Sequence, residues 1–168
     1  MTQAGAEPGT VDHSRVVMSQ VILPAHAGPG GVWAHGGEIM KLMDTAAGMA
    51  ALRHAHCPVA TLRVEGINFL HPVRVGNYVV VEAKLTFVSA STMEVKVRVT
   101  AEDVLHDKTF DAVTSYFLFV ALGEDGRTRE VPRLKLRTEE EHRLHEQGRM
   151  RHELCRIDEH GKALCALE

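Results

Sequence analysis

The chain has 168 residues, enough for one domain with a core of its own. Nineteen lysines and arginines against 22 aspartates and glutamates leave a net charge of −3, without the basic surplus of a general nucleic-acid binder. Cys57, Cys155 and Cys165 are too few and too scattered for a disulfide framework, and no run approaches the roughly 18–20 apolar residues of a membrane-spanning helix.

The first fifteen residues, "MTQAGAEPGTVDHSR", lack both the apolar core and the basic start of a secretory signal. They read as a disordered or tag-like lead, and the expected setting is cytoplasmic. "VVMSQVILP" (Val16 to Pro24) predicts a short strand ended by proline, and "AHAGPGGVWA" a glycine- and proline-rich loop. Gly36 to His54 predicts a helix apolar on most sides, the pattern of a buried helix.

Beyond Pro58 the period changes to two. "TLRVEGINFLHP" predicts one strand, closed by "HPVRVGN". In "NYVVVEAKLTFV", Val79, Val81, Ala83, Leu85 and Phe87 share one face. In "TMEVKVRVT", Met93, Val95, Val97 and Val99 point one way and Glu94, Lys96 and Arg98 the other, as in a half-buried antiparallel strand. "FDAVTSYFLFVAL" predicts a more apolar strand, followed by a turn at "GEDGR". The tail predicts a helix opened by a capping box of Thr138 and Glu141, with acids first and Arg149, Arg151 and Arg156 later. Its apolar stripe is thin, Leu144 and then Leu154. The expected class is α+β: a long central helix against an antiparallel sheet over residues 16–135, then a C-terminal helix and tail over 136–168.

Within the helix, Glu38, Lys41 and Asp44 are each three apart, so a solvated stripe of charge pairs accounts for the acid. A second reading starts from Gly36 and Gly37. Glycine costs about 1 kcal/mol against alanine inside a helix. At a helix start, however, the missing Cβ lets a ligand reach backbone N–H groups that favour negative charge. Such amides can hold a carbonyl oxygen as it becomes an oxyanion, while a carboxylate activates water or attacks. Asp44 lies about 10 Å along the axis from Gly37 at 1.5 Å per residue, so one small carbonyl meets both groups only where two chains combine.

"HGGEIMKLMDTAAGMAA", "VATLRVEGINFLHPVRVGN", "STMEVKVRV", "SYFLFVALGEDGR" and "TEEEH" occur in one order. Together they resemble the acyl-CoA hydrolase branch of the hotdog-fold thioesterases, over about Val16 to Asp158. Both single-hotdog bacterial members and the hotdog domains of animal cytosolic acyl-CoA thioesterases are similar. The resemblance implies a hotdog fold, with the helix wrapped by a curved antiparallel sheet. It also implies a dimer as active unit, assembly as a trimer of dimers, and hydrolysis of acyl-CoA to CoA and a carboxylic acid without a cofactor. Asp44 matches the catalytic acid, Gly36 and Gly37 the carbonyl-polarising amides, and Thr61 the hydroxyl residue of the next strand.

Two positions depart from the family pattern. Gly28 stands where many members carry a water-positioning Asn, leaving His26 or His35 as substitutes. Ala90, in "SASTM", stands where a CoA-phosphate cation is common. Phe69 is then expected on the acyl path, with Arg74, Ser91, Thr92 and His35 toward CoA and Arg63 as a further cation. These departures also motivate the alternative, a hotdog module that binds acyl-CoA without hydrolysing it.

Other chemistries find weaker footing. "HAHC" (His54, His56, Cys57) and His152, Cys155, His160 have ligand types without the spacing of a metal motif, so no metal is expected. Cys57 reads as a packed residue. No Ser occupies a G-x-S-x-G elbow, "GPGG" lacks the Lys of a P-loop, and no His-led dehydratase motif is present. No nucleic-acid or membrane partner is expected.

Overall fold

The computed structural model describes residues 7–157 and 163–165. In chain order these form α1 (Val11–Ser14), β1 (Val16–Val21), a 3-10 turn (Pro24–His26), α2 (Gly36–Ala55), β2 (Val59–Phe69), β3 (Tyr78–Val88), β4 (Thr92–Asp103), β5 (Lys108–Ala121) and α3 (Glu139–Leu154). A small antiparallel pair, β6 (Cys155–Ile157) and β7 (Ala163–Cys165), follows. The main sheet has the order β1-β3-β4-β5-β2, every pairing antiparallel, so β1 and β2 are its edges.

The core lies between this sheet and α2. Val95, Val97 and Val99 of β4 are fully buried, facing α2 residues Ile39, Met43, Ala46, Ala47, Ala50 and Ala51. Those helix positions recur at three- and four-residue steps and share one face, and the alanines let the helix axis approach the sheet closely. The expected α+β hotdog arrangement is therefore present. The helix is not buried on most sides, however: Met40, Met49 and Leu52 on its far face are each more than two-fifths exposed.

Three further expectations change. Residues 7–15, placed in a disordered lead, are built into the fold. Thr10 caps α1 by accepting from the His13 N–H, and Thr10, Val11 and Ser14 are buried. Phe87 leaves the face of Leu85, because the β3–β4 register slips between them: Leu85 pairs with Val95, but Phe87 pairs with Glu94. The extra residue at Thr86 reverses the alternation and sends the Phe87 ring outward, 5.1 Å from the His145 ring and 5.3 Å from that of His152.

Glu94, expected in solvent, is 4% exposed. Its carboxylate accepts from Thr86 Oγ1 at 2.5 Å and from Arg151 Nε and Nη2 at 2.8 Å each. Helix α3 covers it, opened by the expected capping box: Glu141 N–H donates to Thr138 Oγ1 and Thr138 N–H to Glu141 Oε2, both at 3.2 Å. The approach is close enough that a Cβ on Gly148 would lie 2.5 Å from Phe87 Cβ.

Candidate active site

Asp44 sits a little over two turns into α2 on its exposed face. Thr61, on the edge strand β2, donates from Oγ1 to Asp44 Oδ1 at 2.9 Å. The β2 register slips between Thr61, which pairs with Phe119, and Arg63, which pairs with Leu118. This irregularity at Leu62 separates Thr61 from the rest of the strand, the position at which a bulge re-aims a side chain. The charge-stripe reading is only half present. Glu38 and Lys41 pair at 3.8 Å, but Asp44 forms no ion pair among the described residues and takes the Thr61 hydroxyl instead.

At the helix start His35 is the N-cap, and its Nδ1 accepts the Gly37 N–H at 2.9 Å. The imidazole Nδ1 thus occupies the amide that an incoming oxygen would use. A Cβ on Gly37 would lie 2.9 Å from that same nitrogen, so glycine is what lets the ring cross the helix end. The His35 backbone is fixed, donating to His26 O at 2.8 Å and accepting from Glu38 N–H at 2.9 Å. Gly36 lies under Phe69, whose Cζ would be 3.4 Å from an added Cβ.

Gly28 is brought beside this helix start. Its N–H donates to Trp33 O at 2.8 Å, and a Cβ there would be 3.4 Å from His35 Cα. Of His26 and His35, the two substitutes expected for the missing Asn, only His35 reaches the helix. His26 instead accepts from Leu23 N–H at 3.1 Å and contacts the Gln20 amide.

Next to Gly36 opens a mainly apolar cleft of about 410 Å³, between Trp33 and Phe69 with Ile39 and Val73 behind. A neighbouring hollow of about 240 Å³ shares Trp33, His71 and Pro72 with it and extends to Arg74, Asn77 and Phe110. Arg74 stacks its guanidinium 5.0 Å from the Trp33 ring centroid. Trp33 was not among the sequence-derived candidates; an apolar aromatic directly before a helix start in a glycine-rich loop was the available signal.

The expected CoA-side residues do not form one group. Arg74 belongs to the end of the sheet where β4 finishes, since it shares a hollow with Asp103. Ser91 and Thr92 lie where β4 begins. Ser91 O accepts from Ala121 N–H at 2.9 Å, and Thr92 Oγ1 lies 2.7 Å from Ser89 Oγ. A strand of this length spans roughly 37 Å at 3.4 Å per residue. Within one chain, Ser91 and Thr92 therefore cannot serve the same phosphate as Arg74.

Of the two histidine-containing clusters, only the described residues can be placed. His54 is buried, with Nε2 2.7 Å from Pro132 O, and desolvation lowers its pKa from the usual histidine value. Among the described residues no three His, Cys, Asp or Glu side chains are gathered to hold a metal. His160 and the side chain of Cys155 lie outside the described residues. Among the described residues, too, no helix is long and apolar enough to cross a membrane.

The sequence profile described as "Thioesterase superfamily" matches residues 33–106. The human cytosolic acyl coenzyme A thioester hydrolase is 35% identical over 148 residues, covering 87% of this chain; the chain spans only 39% of that protein's length. Among solved structures, a hexameric acyl-CoA thioesterase superposes with TM-score 0.81 at 30% identity, over 88% of this chain and 92% of the other. A Staphylococcus aureus acyl-CoA hydrolase, solved with butyryl coenzyme A and coenzyme A, superposes with TM-score 0.78 at 26% identity, over 86% and 87% of the two chains. That enzyme has also been solved with an aspartate, an asparagine and a threonine singly replaced by alanine. With its antiparallel sheet, its long central helix and a relative covered almost end to end, the chain belongs to the acyl-CoA hydrolase branch of the hotdog-fold thioesterases.

Proposed function

We propose that the protein hydrolyses acyl-CoA thioesters to CoA and free carboxylic acids. The observation that carries the reading is the Thr61–Asp44 hydrogen bond across seventeen residues. In the Staphylococcus aureus enzyme the aspartate and threonine chosen for replacement are spaced by the same interval. In this scheme Asp44 removes a proton from water as the water oxygen bonds the carbonyl carbon, or attacks that carbon itself. Direct attack gives a mixed anhydride that water then hydrolyses, freeing the carboxylic acid, restoring the Asp44 carboxylate and supplying the proton. The carbonyl oxygen takes up negative charge against the Gly36 and Gly37 amides. The carbon–sulfur bond then breaks, and the thiolate leaves and gains the proton. Thr61 holds Asp44 in position. His35 must release the Gly37 N–H for the oxygen to enter. A positioned water, an acid and an oxyanion site suffice for this chemistry, so no metal or redox cofactor is invoked.

We further propose that two chains complete each site. Asp44 and the Gly37 amide are about 10 Å apart along the axis, too far for one carbonyl. Strand β2 is an open edge, and Leu62, Phe69, Leu70, Met40, Met49 and Leu52 on β2, the residue following it and α2 are exposed in the single chain. An unpaired edge beside an apolar face favours pairing with another copy. The hexameric relative supports further assembly, for which a trimer of dimers is the proposed form, and the cytosolic human relative supports a cytoplasmic setting.

The test is free-thiol release from a panel of acyl-CoAs, with wild type beside Asp44→Asn. Loss of general-base chemistry lowers kcat by about 10²–10⁴-fold, with acyl-CoA still bound. Acyl-CoA binding without thiol release by the wild type would instead establish the binding-module reading, which the occupied Gly37 amide and the bare Gly28 favour.

A further inference from the structure

The cleft beside Gly36 borders a second hollow, and three residues belong to both. Trp33, His71 and Pro72 line both the 410 Å³ cleft and the 240 Å³ hollow, so these three residues stand at the border of the two spaces, and Trp33 has the largest side chain of the three. Trp33 is held from several sides. Trp33 O accepts from Gly28 N–H at 2.8 Å, its backbone bridges to Arg74, and the Arg74 guanidinium stacks on its ring. A cation over an indole face is attracted to it, which biases the ring toward one orientation. Gly36 and the Phe69 ring, which are in contact distance of each other, line the same cleft as Trp33.

Resting on the thioesterase reading, we propose that the acyl chain lies in the cleft between Phe69 and Trp33, and that Trp33 is the stop that sets the chain length accepted. A thioester whose oxygen meets the helix-start amides must direct its two substituents away from that point. The apolar cleft suits the hydrocarbon, because each CH₂ group buried there leaves water for an apolar lining. Chain growth ends where the indole stands. The occupant is a linear apolar acyl group. The hollow beyond, with Arg74, Asn77 and Asp103 on its walls, is polar at its far side and closed to that chain by Trp33.

Trp33 is the only tryptophan in the chain, so its fluorescence reports on this stop alone. Titration with CoA and with S-alkyl-CoA thioethers of short, medium and long alkyl groups, which cannot be hydrolysed, gives a readout independent of turnover. The proposal expects the emission to shift to shorter wavelength as the alkyl group lengthens and to respond little to CoA. No response, or the same response to CoA as to the longest thioether, overturns it.

Thiol-release profiles then compare Trp33→Ala with Trp33→Phe. One newly accommodated methylene changes discrimination by about 10-fold or more. Trp33→Ala should therefore raise kcat/KM for acyl groups beyond the wild-type optimum by about that factor relative to shorter ones. Trp33→Phe, which keeps an aromatic wall, should leave the optimum near its wild-type place. Unchanged chain-length profiles in a folded Trp33→Ala protein overturn the assignment. Chain-length-dependent emission without thiol release would sink the thioesterase reading while leaving the cleft assignment standing. Thiol release without that emission change would do the reverse.

Discussion

On α2, the face toward the sheet carries Ala46, Ala47, Ala50 and Ala51 with no exposed surface, while the opposite face carries Met40, Asp44 and Met49 in the open. Both faces are rich in apolar residues, yet only one has protein against it. Small side chains on the inner face bring the helix onto β3 and β4 and fix its height and rotation. The outer face then presents Asp44 from a rigid element, with the Thr61 hydroxyl as a direct partner. A carboxylate placed this way inherits its precision from the alanines beneath it, which is what a catalytic group requires.

The difference between the faces gives separable expectations. The largest falls on the inner face. Met43 is fully buried, and Met43→Ala should cost about 2–5 kcal/mol of unfolding free energy, read by urea denaturation, with kcat per folded molecule retained. On the outer face, Thr61→Val removes the hydrogen bond to the Asp44 carboxylate, a bond between two exposed groups that adds little to folding stability. If that bond orients Asp44 for attack, kcat should fall roughly 10- to 100-fold with the melting temperature unchanged; equal losses in both would assign Thr61 a structural role only. At the helix start, His35→Ala should cost about 1 kcal/mol of stability through loss of the cap. His35→Asn, a good N-cap, should restore it in the same thermal melt.

A further effect belongs to the inner face at its far end. Desolvation holds the His54 pKa below the usual histidine value, so the unfolded chain binds the proton more readily. Its contribution to stability is therefore complete above about pH 6.5, the unperturbed histidine value, and declines as the pH falls from there toward the lowered folded value. His145, shifted the same way by desolvation, adds to the trend. Melting temperatures at pH 7.5 and 5.5 should fall further apart for wild type than for His54→Gln; equal differences would remove His54 from the account.

Much of this arrangement was legible in the sequence, for local reasons. The period-two alternation of Val95, Val97 and Val99, the glycines at the start of α2 and the Thr138–Glu141 box are each written within a few residues. Family resemblance singled out Asp44 and Thr61, which the structure places in contact. What was not legible depends on distant partners. Glu94 alternates like a solvent-facing residue, and only Arg151, fifty-seven positions later, turns it into a buried one. Phe87 continues the periodicity of its strand, but the slip at Thr86 reverses its face. Ser91, Thr92 and Arg74 have the right chemistry for phosphate, and the length of β4 keeps them apart. Trp33 gained its place from the border it lines with His71 and Pro72, residues almost forty positions away.

The most direct test of the central claim, that acid and amide reach one carbonyl from different chains, is complementation. Asp44→Asn and Gly37→Val, each inactive alone as an assembled protein, are co-expressed with different tags, and mixed oligomers are isolated and assayed for thiol release. Recovered activity is expected, because a mixed dimer contains one site with Asp44 from one chain and the unhindered Gly37 amide from the other. Mixed oligomers as inactive as both parents would contradict it and place the whole site within a single chain.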